Sequence, residues 1–324
     1  MKNLILICSL LFSIQIFAQT EQQLIHIGDF FTTEGKIIKD CKVGFRTVGK
    51  QNADKSNVVL WPTWFGGSSA DIISGSLTNL IDTTGLYIIV VDALTNGISS
   101  SPSNTPNFPI ISIRDMVNSQ HILLTKHLDI HHLKAVIGIS MGGMQAFEWM
   151  VAYPRFMEKI IPIVGSPKQS FYDKLVWQTM ADLINNNQSD QEFSYHKAHS
   201  ILLMNLYTPS YMASHFHPDS LNNFLSNSFQ GLIHPEDYLG GLYAMIHHDI
   251  YKSTNINPEK IKKIIQAKVL IIVGLQDHLV NPISSIHLAE LSGIQVLRLE
   301  SDCGHMVPSC ESEKIRTAID SFMN

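Results

Sequence analysis

Apolar residues in this chain come in short continuous runs more often than in alternation. The runs at 58–61, 86–91, 135–137, 160–164, 269–273 and 294–299 are rich in Val, Ile and Leu. A strand covered on one face alternates apolar and polar side chains, whereas a strand covered on both faces reads as an unbroken apolar run. Between the runs lie stretches with helical spacing, such as 115–127 with Met116, Ile122, Leu123 and Leu124. Alternation of the two patterns predicts an α/β fold: a mostly parallel central sheet flanked by helices, with right-handed crossovers.

The texture changes over residues 169–261. Asn, His, Tyr, Met and Phe accumulate there, no long strand run appears, and helix-like pieces such as 174–184 recur. Connections within α/β units are short, so this stretch predicts a helical lid inserted over the carboxyl edge of the sheet. The core is then 19–168 and 262–324. The first residues differ again. Lys2 supplies a positive charge, residues 4–17 are nearly all apolar, and the run ends at Ala18 before the polar stretch 19–23. That run is short for a bilayer span and has the layout of an export signal covering 1–18. The sequence therefore predicts a periplasmic or secreted protein without a stable membrane anchor. Cys8 follows Ile7, not a small residue, which argues against lipidation.

Chemistry enters at Gly138-Ile139-Ser140-Met141-Gly142. This G-x-S-x-G lies between the run at 135–137 and a helix-like stretch from Met144 to Ala152. In that context the pattern marks a sharp strand-to-helix turn that lifts a serine hydroxyl above the sheet. A serine needs a base, and the base needs an acid to hold its tautomer. The chain order on such a fold is Ser, then Asp or Glu, then His, with the partners just past strand ends. Asp277 follows the run at 269–273, and His305 follows the run at 294–299, which makes Ser140, Asp277 and His305 the expected catalytic set. Asp302 is the rival acid, two residues from the histidine, and His278 is expected at the rim. An oxyanion hole needs two N–H donors. Met141, directly after the serine, is the first. The loop Pro62-Thr63-Trp64-Phe65-Gly66-Gly67 offers the second, with Phe65 the choice and Trp64 the alternative.

Composition narrows the partners. The chain has 324 residues, of which 45% are hydrophobic and 16% charged, so a sizeable core is available. Net charge is -5 and Lys and Arg do not cluster, which argues against nucleic acid. No phosphate-cradling or dinucleotide glycine loop occurs, so no cofactor is expected. The lid is rich in histidine, but His215-x-His217 has no adjoining Cys or carboxylate pattern, and no metal is expected. Lid residues such as Trp177, Met180, Phe193, Tyr207 and Tyr211 are expected to pack on the core and line an apolar acyl pocket. Cys303 and Cys310 flank His305; the sequence leaves open a disulfide between them or free thiols, and it leaves open a homodimer.

A resemblance extends beyond the elbow. Phe108-Pro109, Ile113-Arg114-Asp115-Met116-Val117, Gly138 through Trp149 and Tyr153-Pro154 together resemble the homoserine O-acetyltransferase group of the α/β-hydrolase superfamily. The likeness covers essentially the whole chain after the leader, and Ser-Met-Gly-Gly-Met-Gln is its most specific segment. It implies the α/β-hydrolase fold, Ser140 as acyl carrier with Asp277 and His305 as partners, Phe65 and Met141 as oxyanion donors, and acyl transfer by a ping-pong route. It also implies an aspartate after the catalytic histidine, for the acceptor's ammonium, and a lid arginine for its carboxylate. Here Met306 holds the first position, and no arginine lies between Arg155 and Arg298. Trp64 and Met306 are accordingly expected at the substrate, and 96–104 is similar to the hydrolase-like branch. The sequence points to an exported serine hydrolase acting on a small acyl substrate, an ester first. An O-acyltransferase with an altered acceptor site is the alternative.

Overall fold

The computed structural model describes residues 21–186 and 190–324; the expected leader, 1–18, lies outside them. A single sheet of eight strands organises the described residues. The strands are β1 (Gln23–Phe31), β2 (Ile37–Gly49), β3 (Val58–Pro62), β4 (Tyr87–Val91), β5 (Leu133–Ile139), β6 (Met157–Ile163), β7 (Lys268–Gly274) and β8 (Gln295–Leu299). Their order across the sheet is β1-β2-β4-β3-β5-β6-β7-β8. All pairings from β4 to β8 are parallel. β1 and β2 add an antiparallel hairpin at one edge.

Each apolar run coincides with a parallel strand to within three residues. The reason is coverage on both faces. Val58, Leu60, Val136, Ile160 and Ile271 pack on one side with Phe147 and Trp149, which belong to the helix Met141–Ala152. Val59, Trp61, Ile137, Ile161 and Ile272 pack on the other with Ile315 and Ile319, which belong to the helix Ser312–Met323. Successive side chains of one strand thus enter opposite clusters. β1 and β2 were not among the runs. They form the edge, much of their surface is exposed, and the register of β1 slips at Gly28, whose φ is +82°.

A helical excursion separates β6 from β7. It contains Phe171–Asn186, Gln191–Leu206, Pro209–His215, Leu221–Phe229 and Pro235–Ile246. Its two ends meet: Lys168 bridges to Asp249, and the Ile250 N–H donates to the Pro167 carbonyl at 3.0 Å. Past that neck, Ile250 and Ile261 are fully buried in the cluster that holds Trp149. The stretch 250–261, expected in the lid, therefore packs with the core. Among the described residues no helix is long and apolar enough to cross a membrane.

Candidate active site

β5 ends at Ile139 and a helix begins at Met141, so Ser140 takes the whole turn. Its φ is 56° and its ψ -120°. A non-glycine residue in such a region costs on the order of 1–3 kcal/mol, and the surroundings hold it there. A Cβ at Gly138 would lie 2.1 Å from the Gly142 carbonyl oxygen, and one at Gly142 would lie 2.6 Å from the Pro62 carbonyl oxygen. The motif glycines are there because strand, helix and the loop after β3 approach too closely for any side chain. The Ser140 N–H donates to the Ile163 carbonyl at 2.9 Å, anchoring the turn to β6.

The three expected side chains meet. The Ser140 Oγ lies 2.9 Å from His305 Nε2, and His305 Nδ1 lies 2.7 Å from Asp277 Oδ2. The other Asp277 oxygen accepts the Leu279 and Val280 N–H groups, each at 2.9 Å. A carboxylate only accepts, so Nδ1 carries the proton and Nε2 is left to accept from the serine hydroxyl. The site is shielded: Ser140, His305 and Asp277 are 8%, 6% and 4% exposed. The rival Asp302 is engaged through its carbonyl, which accepts from Thr208 Oγ1 at 2.7 Å, and His278 is exposed. Cys303 and Cys310 are disulfide-bonded around His305. Gly304, with φ 65°, is pressed against the excursion, since a Cβ there would lie 2.9 Å from the Leu206 carbonyl oxygen.

Two supporting elements escaped sequence reasoning. Asp173, fully buried at the start of the excursion, accepts from the Ser170 N–H at 2.9 Å and the Asn281 N–H at 3.0 Å. It thereby clamps the loop that follows Asp277. Burial raises its pKa above the ordinary carboxylate value, the hydrogen bonds oppose this, and the charge of Asp277 adds to the rise. The pattern Ser170-x-x-Asp173 signals a helix start but says nothing of the reach to Asn281. The second element is a buried polar chain. Trp149 Nε1 donates to Gln120 Oε1 (2.8 Å), Gln120 Nε2 donates to Gln145 Oε1 (2.6 Å), and Gln145 Nε2 donates to the Thr63 carbonyl (3.0 Å). It fastens the elbow helix to the loop carrying Trp64 and Phe65. Much of the family-like run is structural in the same way: Arg114 pairs with the fully buried Glu148, which also accepts from Ser253 Oγ at 2.7 Å.

The two aromatic side chains of the loop after β3 pack in different clusters. The Gly67 N–H donates to the Trp64 carbonyl at 3.1 Å and closes its turn. The Phe65 ring sits 4.5 Å from that of Tyr238, edge to face. Trp64 packs in the cluster that also takes Met306, Tyr207 and Tyr211, on the His305 side. Met141 is the first residue of its helix, where an N–H has no carbonyl one turn before it and lies at the positive end of the helix dipole. The histidines of the pair His215-x-His217 are engaged locally: His215 stacks on Tyr211 at 3.9 Å, and His217 accepts from the Asp219 N–H at 3.3 Å.

His199, buried in the excursion, has its pKa lowered to about 4 by desolvation, with the charge of His196 adding. The unfolded chain takes up this proton near the ordinary value of 6.5, the folded chain only near 4. As pH falls from 6.5 toward 4 the unfolded state binds more protons, so stability contributed by the neutral ring is lost in that window. His199→Phe is therefore expected to lose less melting temperature than wild type between pH 7 and pH 5, by about 2–4 °C. Thermal circular dichroism at the two pH values checks this.

Residues 57–309 match the family described as the alpha/beta hydrolase fold, and the chain belongs to that family. It is similar to both esterases and acetyltransferases within it. Over 188 residues it is 36% identical to the ethyl acetate hydrolase of Pseudomonas veronii, an alignment covering 55% of this chain and 54% of that one. The chain spans about half the length of the first curated relatives it matches. The structure of an acetylester hydrolase from Corynebacterium glutamicum superposes with a TM-score of 0.83 at 25% identity, covering 94% of this chain and 95% of that one. The homoserine O-acetyltransferase from Bacillus anthracis also superposes with a TM-score of 0.83, at 20% identity over 94% of this chain and 98% of that one, a likeness of fold alone.

Proposed function

We propose that this protein is an exported ester hydrolase working through an acyl-Ser140 intermediate. The observation that carries the reading is the buried relay from Ser140 through His305 to Asp277, at 2.9 and 2.7 Å. As Ser140 Oγ attacks the ester carbonyl, its proton passes to His305 Nε2, and Asp277 stabilises the imidazolium. The Met141 and Phe65 N–H groups hold the oxyanion, each worth on the order of 3 kcal/mol. The tetrahedral adduct collapses, the C–O bond to the alcohol breaks, and His305 returns its proton to the departing oxygen. Water then gives a proton to His305 and attacks the acyl carbon. The acid leaves and Ser140 recovers its proton.

Water is the favoured acceptor because the acceptor side lacks charge. Met306 is apolar and half-buried, and no arginine lies between Arg155 and Arg298. An amino acid acceptor in a closed site needs partners for both its charges. The names of the relatives, an ethyl acetate hydrolase and an acetylester hydrolase, support a short acyl group. The test is rapid quenching during turnover of an aryl acetate, followed by mass spectrometry of the peptide containing Ser140. Acetylated Ser140, with acetate release unchanged by homoserine, is the expected result. Acetyl-CoA consumption that accelerates with homoserine would reverse the choice of acceptor. Fractionation of producing cells tests the export.

A further inference from the structure

Tyr238 and His199 stand out among the buried polar side chains of the excursion. Tyr238 is 3% exposed and His199 9%, and among the described residues neither the Tyr238 hydroxyl nor His199 Nδ1 has a hydrogen-bond partner. A buried polar atom left unpaired costs on the order of 1–3 kcal/mol, so such pairs call for a ligand. Their polar neighbours are already committed. Tyr195 Oη donates to the Ile233 carbonyl at 2.7 Å, and Asp237 accepts from the Ser103 N–H and hydroxyl at 2.9 and 2.6 Å.

The two rings meet edge to face, with centroids 6.2 Å apart and planes 69° from parallel. No hydrogen bond joins them, and an oxygen within reach of both would serve both. Tyr238 also sits 4.5 Å from Phe65, and the backbone of its helix presses on the same ring: a Cβ at Gly241 would lie 2.7 Å from it. Phe65, the proposed second oxyanion donor, thus packs directly on Tyr238.

We propose that Tyr238 and His199 form a subsite for one uncharged hydroxyl on the acyl chain of the substrate, making hydroxyacyl esters the preferred class. This rests on the acyl-Ser140 reading. A hydroxyl matches the pair, accepting from the phenol and donating to the neutral imidazole. A charged group does not match, because Asp237 is spent on Ser103 and the Lys197 ammonium lies over the Phe193 ring instead.

The test compares kcat/KM for ethyl β-hydroxybutyrate and ethyl butyrate in wild type, Tyr238→Phe and His199→Phe. Wild type is expected to favour the hydroxy ester, and each substitution to lower that ratio about ten-fold. Calorimetric binding of the same two esters to the Ser140→Ala protein, with and without Tyr238→Phe, reads the preference without turnover. Loss of the acyl-enzyme reading would therefore leave this measurement standing. An unchanged ratio in both assays overturns the subsite. So does a lower melting temperature in Tyr238→Phe with the ratio unchanged, the result expected if an ordered water alone bridges the pair.

Discussion

Ser140→Ala is expected to lower kcat on the order of a million-fold while leaving the melting temperature within about 1 °C of wild type. Among the described residues the Oγ has one partner, His305 Nε2 at 2.9 Å, so its loss removes the proposed nucleophile and little else. The turn does not depend on the hydroxyl: φ of 56° is imposed by the close approach of strand, helix and neighbouring loop, and alanine meets the same constraint as serine. A residual rate roughly a thousand-fold above water should persist, because the proposed oxyanion donors remain. The measurement is initial-rate hydrolysis of a short aryl ester by both proteins, with thermal melts alongside. Wild-type turnover in the variant would sink the assignment of Ser140.

Asp277→Asn is expected to lower kcat roughly ten-thousand-fold with almost no change in KM. The reason lies in the backbone around the carboxylate. One oxygen is fixed by the N–H groups of Leu279 and Val280, so an asparagine must keep its carbonyl there. Its NH2 then faces His305 Nδ1, where the carboxylate had accepted. The ring must switch tautomer and present Nε2–H to Ser140, which removes the base without moving it. A split between kcat and KM distinguishes this from a collapsed site. If Asp277→Asn retained more than about a tenth of wild-type kcat, His305 would be taking its orientation from another group.

The central parallel strands and the meeting of Ser140, Asp277 and His305 were legible because each has a local signature. Strands buried on both faces write unbroken apolar runs, the elbow needs glycines at fixed offsets, and each partner follows a strand end. β1 and β2 were not legible, because an edge hairpin with a bulge at Gly28 breaks the two-residue period. The clamp from Asp173 to Asn281 spans 108 residues, and no local pattern encodes such a reach. The orphaned polar pair was illegible for a related reason. Which faces of the helices bearing His199 and Tyr238 turn inward depends on how the excursion packs on Phe65. The seven histidines of that region therefore looked alike in sequence, and packing alone separates buried His199 from exposed His215 and His217.

The contact between Ser140 and His305 joins residues 165 apart, and the one between His305 and Asp277 joins residues 28 apart. Chains are synthesised from the amino terminus and domains close only when their distant segments have arrived. Ser140 thus emerges long before the histidine it contacts, and β7 must dock on β6 across the whole excursion before His305 has a place to stand. On the proposed mechanism, a nascent or partly unfolded copy would carry its serine without a base. Ester turnover would then be a gauge of completed folding that no measure of helix content can replace.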